Sequence, residues 1–138
     1  MTLPIDLERF GYTGTLPQEL VDFARRQLIN AVLYKGDERR REQRYPMMLP
    51  ILVVPVNTSN QAIGQTFEVI SRDIASNTIG LFHVERIVHP RLAIYMKLAN
   101  TDVNLVIEVT WEGPLGPFRG LAGRYLEKLD QFPGYCPL

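Results

Sequence analysis

The chain has 138 residues, with 15 Lys+Arg against 15 Asp+Glu, 46% hydrophobic and 22% charged residues. That is the composition of one ordinary soluble domain, long enough to bury a core without disulfide or metal staples. The zero net charge argues against a general DNA, RNA or anionic-membrane binder, which would carry a basic excess. The one cysteine, Cys136, has no internal partner, and no CxxC or Cys/His cluster exists, so a reducing, cytoplasmic setting is expected. The first residues, MTLPIDLERF, lack an apolar core, so no signal peptide is expected, and no apolar run reaches the ~20 residues a membrane-spanning helix needs.

In chain order, residues 1–14 are irregular. Thr15 and Gln18 make a capping-box pair and Pro17 suits a first helical turn. Leu20, Ala24, Leu28, Ala31 and Val32 then recur at helical spacing, and Gly36 is a stop. The expectation is a helix over 16–35 whose apolar stripe covers either the body of the domain or a partner helix.

From residue 47 on, the pattern changes to short β-type runs. Strands are expected over 48–56, 65–74, 79–86, 92–98, 103–111 and 118–126. The turns between them are expected at 57–62, Ser76-Asn77-Thr78, His89-Pro90, Asn100-Thr101-Asp102 and a Gly/Pro loop over 112–117. Pro50 and Pro55 point to edges or bulges. Trp111 and Tyr95 are expected in the core or at a barrel mouth, and His83 at a strand surface. Six strands at roughly ten-residue spacing point to an antiparallel barrel or sandwich.

Between helix and strands lies ERRREQRYP, residues 38–46, with Arg39, Arg40, Arg41 and Arg44. Guanidinium forks match phosphate bidentately and stack on flat rings. Arg40 and Arg44 fall on one side of either a helix or an extended strand. A solvated, self-screened charge run is the plain alternative, because Asp37, Glu38 and Glu42 are interleaved.

These pieces together resemble the PilZ domain family. The matching residues are the RxxxR pair Arg40 and Arg44, the stretch Ser71-Arg72-Asp73-Ile74-Ala75-Ser76-Asn77-Thr78-Ile79-Gly80-Leu81, and the late Gly123-Arg124-Tyr125-Leu126. The resemblance covers about residues 38–128. It implies a mainly β fold, a six-stranded antiparallel PilZ-like β-barrel, expected over 38–138; the helix read from its spacing lies outside the resemblance, in an N-terminal extension, 1–37. It also implies a bacterial receptor for cyclic di-GMP, with no catalysis. The family's second motif, (Asp/Asn)-x-Ser-x-x-Gly, is met by Asp73 but departs at Ala75 and Thr78. Ser76 and Gly80 do not fall at the motif's positions.

By resemblance the ligand-binding residues are Arg40, Arg44, Arg41, Asp73, Ala75, Ser76 and Thr78. The arginines would take guanine O6/N7 or phosphate, and Asp73 the N1–H and N2–H₂ edge. No metal or other cofactor is expected, and no nucleophile, P-loop or paired-carboxylate motif makes a case for an enzyme. The partners implied are cyclic di-GMP and an unknown protein that senses ordering of the arginine loop. No DNA, RNA or membrane insertion is expected, and a homodimer is possible. The rival expectation is a degenerate PilZ domain acting as a protein–protein adaptor, with Leu20, Ala24, Leu28 and Val32 as its docking or dimer face.

Overall fold

The structure, a computed structural model, describes residues 16–33 and 44–134. Arg39, Arg40, Arg41, Cys136 and the helix signals at Thr15 and Gly36 lie outside the described residues, as does the expected boundary between extension and barrel.

Helix α1 spans Gln18–Leu33. Pro17 opens it: the Pro17 carbonyl accepts from the amides of Leu20 and Val21 at 3.1 and 3.2 Å, while its missing N–H costs nothing at that position. Seven strands follow: β1 Tyr45–Pro46, β2 Pro50–Pro55, β3 Phe67–Ile74, β4 Thr78–His83, β5 Arg91–Leu98, β6 Thr101–Leu115 and β7 Phe118–Lys128. Six of them close a ring of antiparallel ladders in the order β3-β2-β5-β6-β7-β4, with β4 returning to β3. The two-residue β1 lies beside β3, beyond the end of β2. Closure leaves the ring without an open edge. This is the six-stranded antiparallel barrel that the strand count and the resemblance imply, with the N-terminal helix expected from the apolar spacing.

The barrel interior is filled by Ile51, Val53, Val69, Ile79, Leu81, Leu92, Ile94, Met96, Ile107 and Leu121. Burying each such side chain is worth roughly 1.5–3 kcal/mol. The clean alternation in β5 follows from this: Leu92, Ile94 and Met96 point inward. β2 has no alternation and is buried throughout, because its outer face is covered as well. Val54 and Val56 pack with Ala93 and Val106 beneath Leu129 and Phe132, which follow β7.

Helix α1 covers a second outer face. Leu20, Val21, Phe23, Ala24 and Leu28 pack on Met48, Ile70 and Phe82. Phe23 meets the Phe82 ring edge-on at 5.5 Å and the Phe118 ring at 5.4 Å. The expected docking face is thereby corrected. Leu20 and Ala24 are each 1% exposed because the chain's own barrel covers them.

Several boundaries differ from expectation. The expected loop over 112–117 is strand for most of its length: β6 runs to Leu115 and pairs with β7, leaving only Gly116-Pro117 as the turn. Gly116 has φ +62°, which suits the first position of a two-residue hairpin turn. Pro114 is tolerated because this part of β6 pairs on one side only. The β5–β6 turn is Ala99-Asn100, both at positive φ, so Thr101 and Asp102 already belong to β6. β4 ends at His83 rather than at Arg86.

A bulge between Val109 and Trp111 shifts the β6 register, and Trp111 stands 43% exposed rather than in the core. Tyr95 is also on the outside, with its ring 6.4 Å from that of Phe132. His83 is buried, not at the surface.

Candidate functional site

The site is built at the barrel end where β1 and the β3–β4 hairpin meet. Tyr45 pairs with Ile74 and Pro46 with Asp73. Arg44 directly precedes Tyr45 in the chain. The exit of the arginine stretch and the Asp73 hairpin, far apart in sequence, are therefore neighbours in one ladder.

Ser71 holds that ladder together across an irregularity. Between the Pro46↔Asp73 and Pro50↔Ile70 pairs there are three residues on one strand and two on the other, which is a β-bulge. The buried Ser71 hydroxyl fills the gap: it accepts from the Leu49 amide at 2.8 Å and donates to the Met47 carbonyl. Backbone bonds from Met47 to Arg72 and from Ser71 to Leu49 flank it.

A second bulge lies on the other side of β3. Ser71 pairs with Leu81 and Asp73 with Gly80, so Arg72 is the extra residue. Consecutive strand residues normally face opposite ways, but here both side chains reach Gly80. A Cβ at Gly80 would lie 2.6 Å from Arg72 Nη2, 2.7 Å from Arg72 Nε and 2.8 Å from Asp73 Oδ1. Arg72 Nε is 3.4 Å from Asp73 Oδ2, and both side chains are only partly exposed.

The expected site residues divide as follows. Arg40 and Arg41 lie outside the described residues. Arg44 is half-buried, and its Nε is shut off from solvent with no hydrogen-bond partner among the described residues. Asp73 sits at the hairpin base. Ala75 is 6% exposed, and its amide donates to the Thr78 carbonyl at 3.0 Å to close the turn. It is a buried turn residue rather than an open contact surface. Ser76 is exposed at the tip.

Thr78 is half-buried at the start of β4, opposite Arg124 on β7. The positive-φ residues other than glycine among those described are Asn60, Ala99 and Asn100. The backbone at 78 therefore makes no conformational demand for glycine, and threonine sits there without strain.

Ser71, Arg72, Gly80 and Arg124 lie within the stretches that carry the resemblance, but no ligand-binding role is expected of them from the sequence. Arg124 holds Glu108 at 2.9 Å on the neighbouring strand and adds a third described arginine to this end. Among the described residues no cluster of metal-binding side chains occurs, and no helix is long and apolar enough to cross a membrane.

The opposite end has its own polar cluster. Glu112 accepts two bonds from Arg119, at 2.6 and 2.8 Å, and lies 3.7 Å from His83 Nε2. His83 Nδ1 is 2.7 Å from the Glu85 carbonyl. The Arg119 hydrogen bond holds the Glu112 carboxyl down at about 2. Burial pushes the His83 imidazole below its usual value, against the opposing pull of the Glu85 carbonyl and of Glu112. A cleft of about 600 Å³ opens beside His83, between the start of α1 and residues 84–89.

No family model and no curated protein matches this chain. Among solved structures, the fold is similar to that of the Bacillus subtilis inhibitor of motility, MotI/DgrA. The TM-score is 0.52 at 15% identity, over 70% of this chain and 46% of that one. The chain thus spans about half the length of that protein, and at this identity the likeness is one of fold: a PilZ-like barrel.

Proposed function

We propose that this protein is a non-enzymatic receptor for cyclic di-GMP that passes the level of the messenger to a protein partner. The observation that carries the reading is the β1–β3 ladder, which puts Arg44 and Asp73 at one barrel end. The resemblance assigns the two halves of a nucleotide site to those two places. Support also comes from Arg44 Nε, which is shut off from solvent and has no hydrogen-bond partner among the described residues. A buried guanidinium nitrogen without an acceptor costs roughly 1–3 kcal/mol or more, and a phosphate or guanine oxygen would supply that acceptor. Position 78 has no positive φ, so the backbone there makes no conformational demand for the motif's glycine.

In this reading Arg40, Arg41 and Arg44 close on phosphate and guanine. The partner senses that closure against the helix-covered barrel. The similarity to an inhibitor of motility is compatible with a regulatory role and gives no partner for this chain.

A second reading has one specific observation in its favour. Ala75, where the motif calls for serine, is buried in its own turn. A barrel that has lost its ligand and serves as an adaptor would show the same feature. Calorimetric titration of the protein with cyclic di-GMP, beside an Arg40→Ala/Arg44→Ala double variant, separates the two. The receptor reading expects micromolar or tighter binding that the double variant loses. No heat and no thermal shift at high ligand concentration would leave the adaptor.

A further inference from the structure

The β3 bulge gives the site a feature that neither arginine spacing nor the second motif contains. Arg72 and Asp73 are consecutive, yet both side chains lie over Gly80 on one face. A guanidinium donor and a carboxylate acceptor thus stand side by side, 3.4 Å apart, with most of each side chain already packed. Glycine at 80 leaves room for them.

One flat edge matches such a pair. Guanine presents N7 and O6 as acceptors and, continuing around the ring, N1–H and N2–H₂ as donors. An arginine fork suits the first two atoms, and an ionised carboxylate, which only accepts, suits the last two. A fork beside a carboxylate therefore covers the whole guanine edge in one plane. Adenine reverses the order, with an amino donor where guanine has O6 and a bare N1 where guanine has N1–H. Against it the pair would face donor to donor and acceptor to lone pair, and buried polar groups left unpaired are what produce strong rejection.

We propose that Arg72 is a specificity-determining residue of this site. With Asp73 it forms a guanine-reading pair, set by the bulge and by Gly80, that selects guanine over adenine in the bound nucleotide. The proposal rests on the reading of the site as a cyclic dinucleotide receptor.

The test is calorimetric titration of the full chain with cyclic di-GMP and with cyclic di-AMP, for the parent protein and for Arg72→Ala, Arg72→Lys and Gly80→Ala. Thermal melts confirm that each variant is folded. Arg72→Ala should weaken cyclic di-GMP at least tenfold and narrow its preference over cyclic di-AMP. Arg72→Lys keeps the charge but loses the fork, and should narrow the preference as well. Gly80→Ala keeps both charged groups and displaces them, so it should act in the same direction.

A parent protein that binds cyclic di-GMP, with Arg72→Ala matching it in affinity and preference, would overturn the proposal and leave the receptor reading intact. The pair would then be a structural ion pair alone. Weaker binding with unchanged preference would also overturn it, by assigning Arg72 to phosphate. A parent that binds neither nucleotide would remove the receptor reading, and this inference with it.

Discussion

Ser71→Ala is the perturbation that most directly tests how this fold builds its site. Ser71 is 1% exposed. Its hydroxyl is the partner of the Leu49 amide and of the Met47 carbonyl, at the place where β1 and β2 are offset by one residue against β3. Alanine keeps the volume nearly unchanged, so little cavity cost arises. The cost is that of two backbone groups losing their partner inside the structure. A buried donor left unpaired costs about 1–3 kcal/mol, and relaxation or an entering water recovers part of it. We therefore expect about 2 kcal/mol of destabilisation.

For a domain of this size, that corresponds to a melting temperature lowered by roughly 5–10 °C. Urea denaturation with an unchanged slope would confirm that stability, not the denatured state, has changed. If the protein is the cyclic di-GMP receptor proposed above, the same variant should also weaken that binding, because the offset ladder adjoins Arg44. A loss below about 0.5 kcal/mol, the range of an ordinary surface change, would refute the argument. It would mean that the bulge is held by the flanking backbone bonds alone.

Other expectations follow from single contacts. Gly123→Ala should destabilise by about 1–3 kcal/mol in a chemical denaturation series, since its Cβ would sit 2.7 Å from Ile107 Cδ1 inside the barrel. Thr78→Gly should not stabilise the protein, because position 78 has no positive φ to relieve; an increase in melting temperature would contradict that. Glu112 has a folded-state carboxyl at about 2, below its ordinary value of 4.5. Its contribution to stability is therefore present above about pH 4.5 and fades as pH falls toward 2. Glu112→Gln should lower stability at neutral pH and flatten that acid limb, read by thermal melts from pH 2 to 7. An acid limb identical to the parent's would show that another carboxylate produces it.

The fold was legible because its strands are half-buried. Leu92, Ile94 and Met96 alternate with smaller or polar residues, and the inner face of a closed barrel demands that pattern. Where two layers cover a strand the pattern disappears, as in β2, and only length and β-branched content identify it. The expected loop over 112–117 was misread because Gly113 and Pro114 carry turn chemistry. Gly113 pairs with Gly120 beside the Trp111 ring, which lies 3.2 Å from where each Cβ would be. These glycines make room for an aromatic side chain rather than for a turn. At the site, charge and spacing mark Arg44, and the resemblance marks Asp73. They could not mark Ser71 or Arg72, whose roles depend on one residue more or fewer in a neighbouring strand.

Those two irregularities share a cause and a consequence. Around residues 71–73, β3 carries one residue fewer than the β1–β2 strand on one side and one more than β4 on the other. A bulge interrupts the ladder and increases local twist, so regular pairing is weakest at Arg72 and Asp73, beside the strand that leaves the arginine stretch. Two consecutive charged side chains on a regular strand would point to opposite faces, one to the core and one to solvent. The bulge against β4 lets Arg72 and Asp73 share one face while Val69 and Ile70, just before them, remain buried. The stability given up in the ladder is partly restored by the Ser71 hydroxyl and by the Arg72–Asp73 pair. A ligand that grips both sides of β3 would restore more, so binding at this end should raise the melting temperature of the whole barrel. Protection from hydrogen exchange would increase first at the amides of Met47, Leu49 and Ser71. If bound nucleotide left those amides unchanged while raising the melting temperature, the stabilising contacts would lie elsewhere on the barrel.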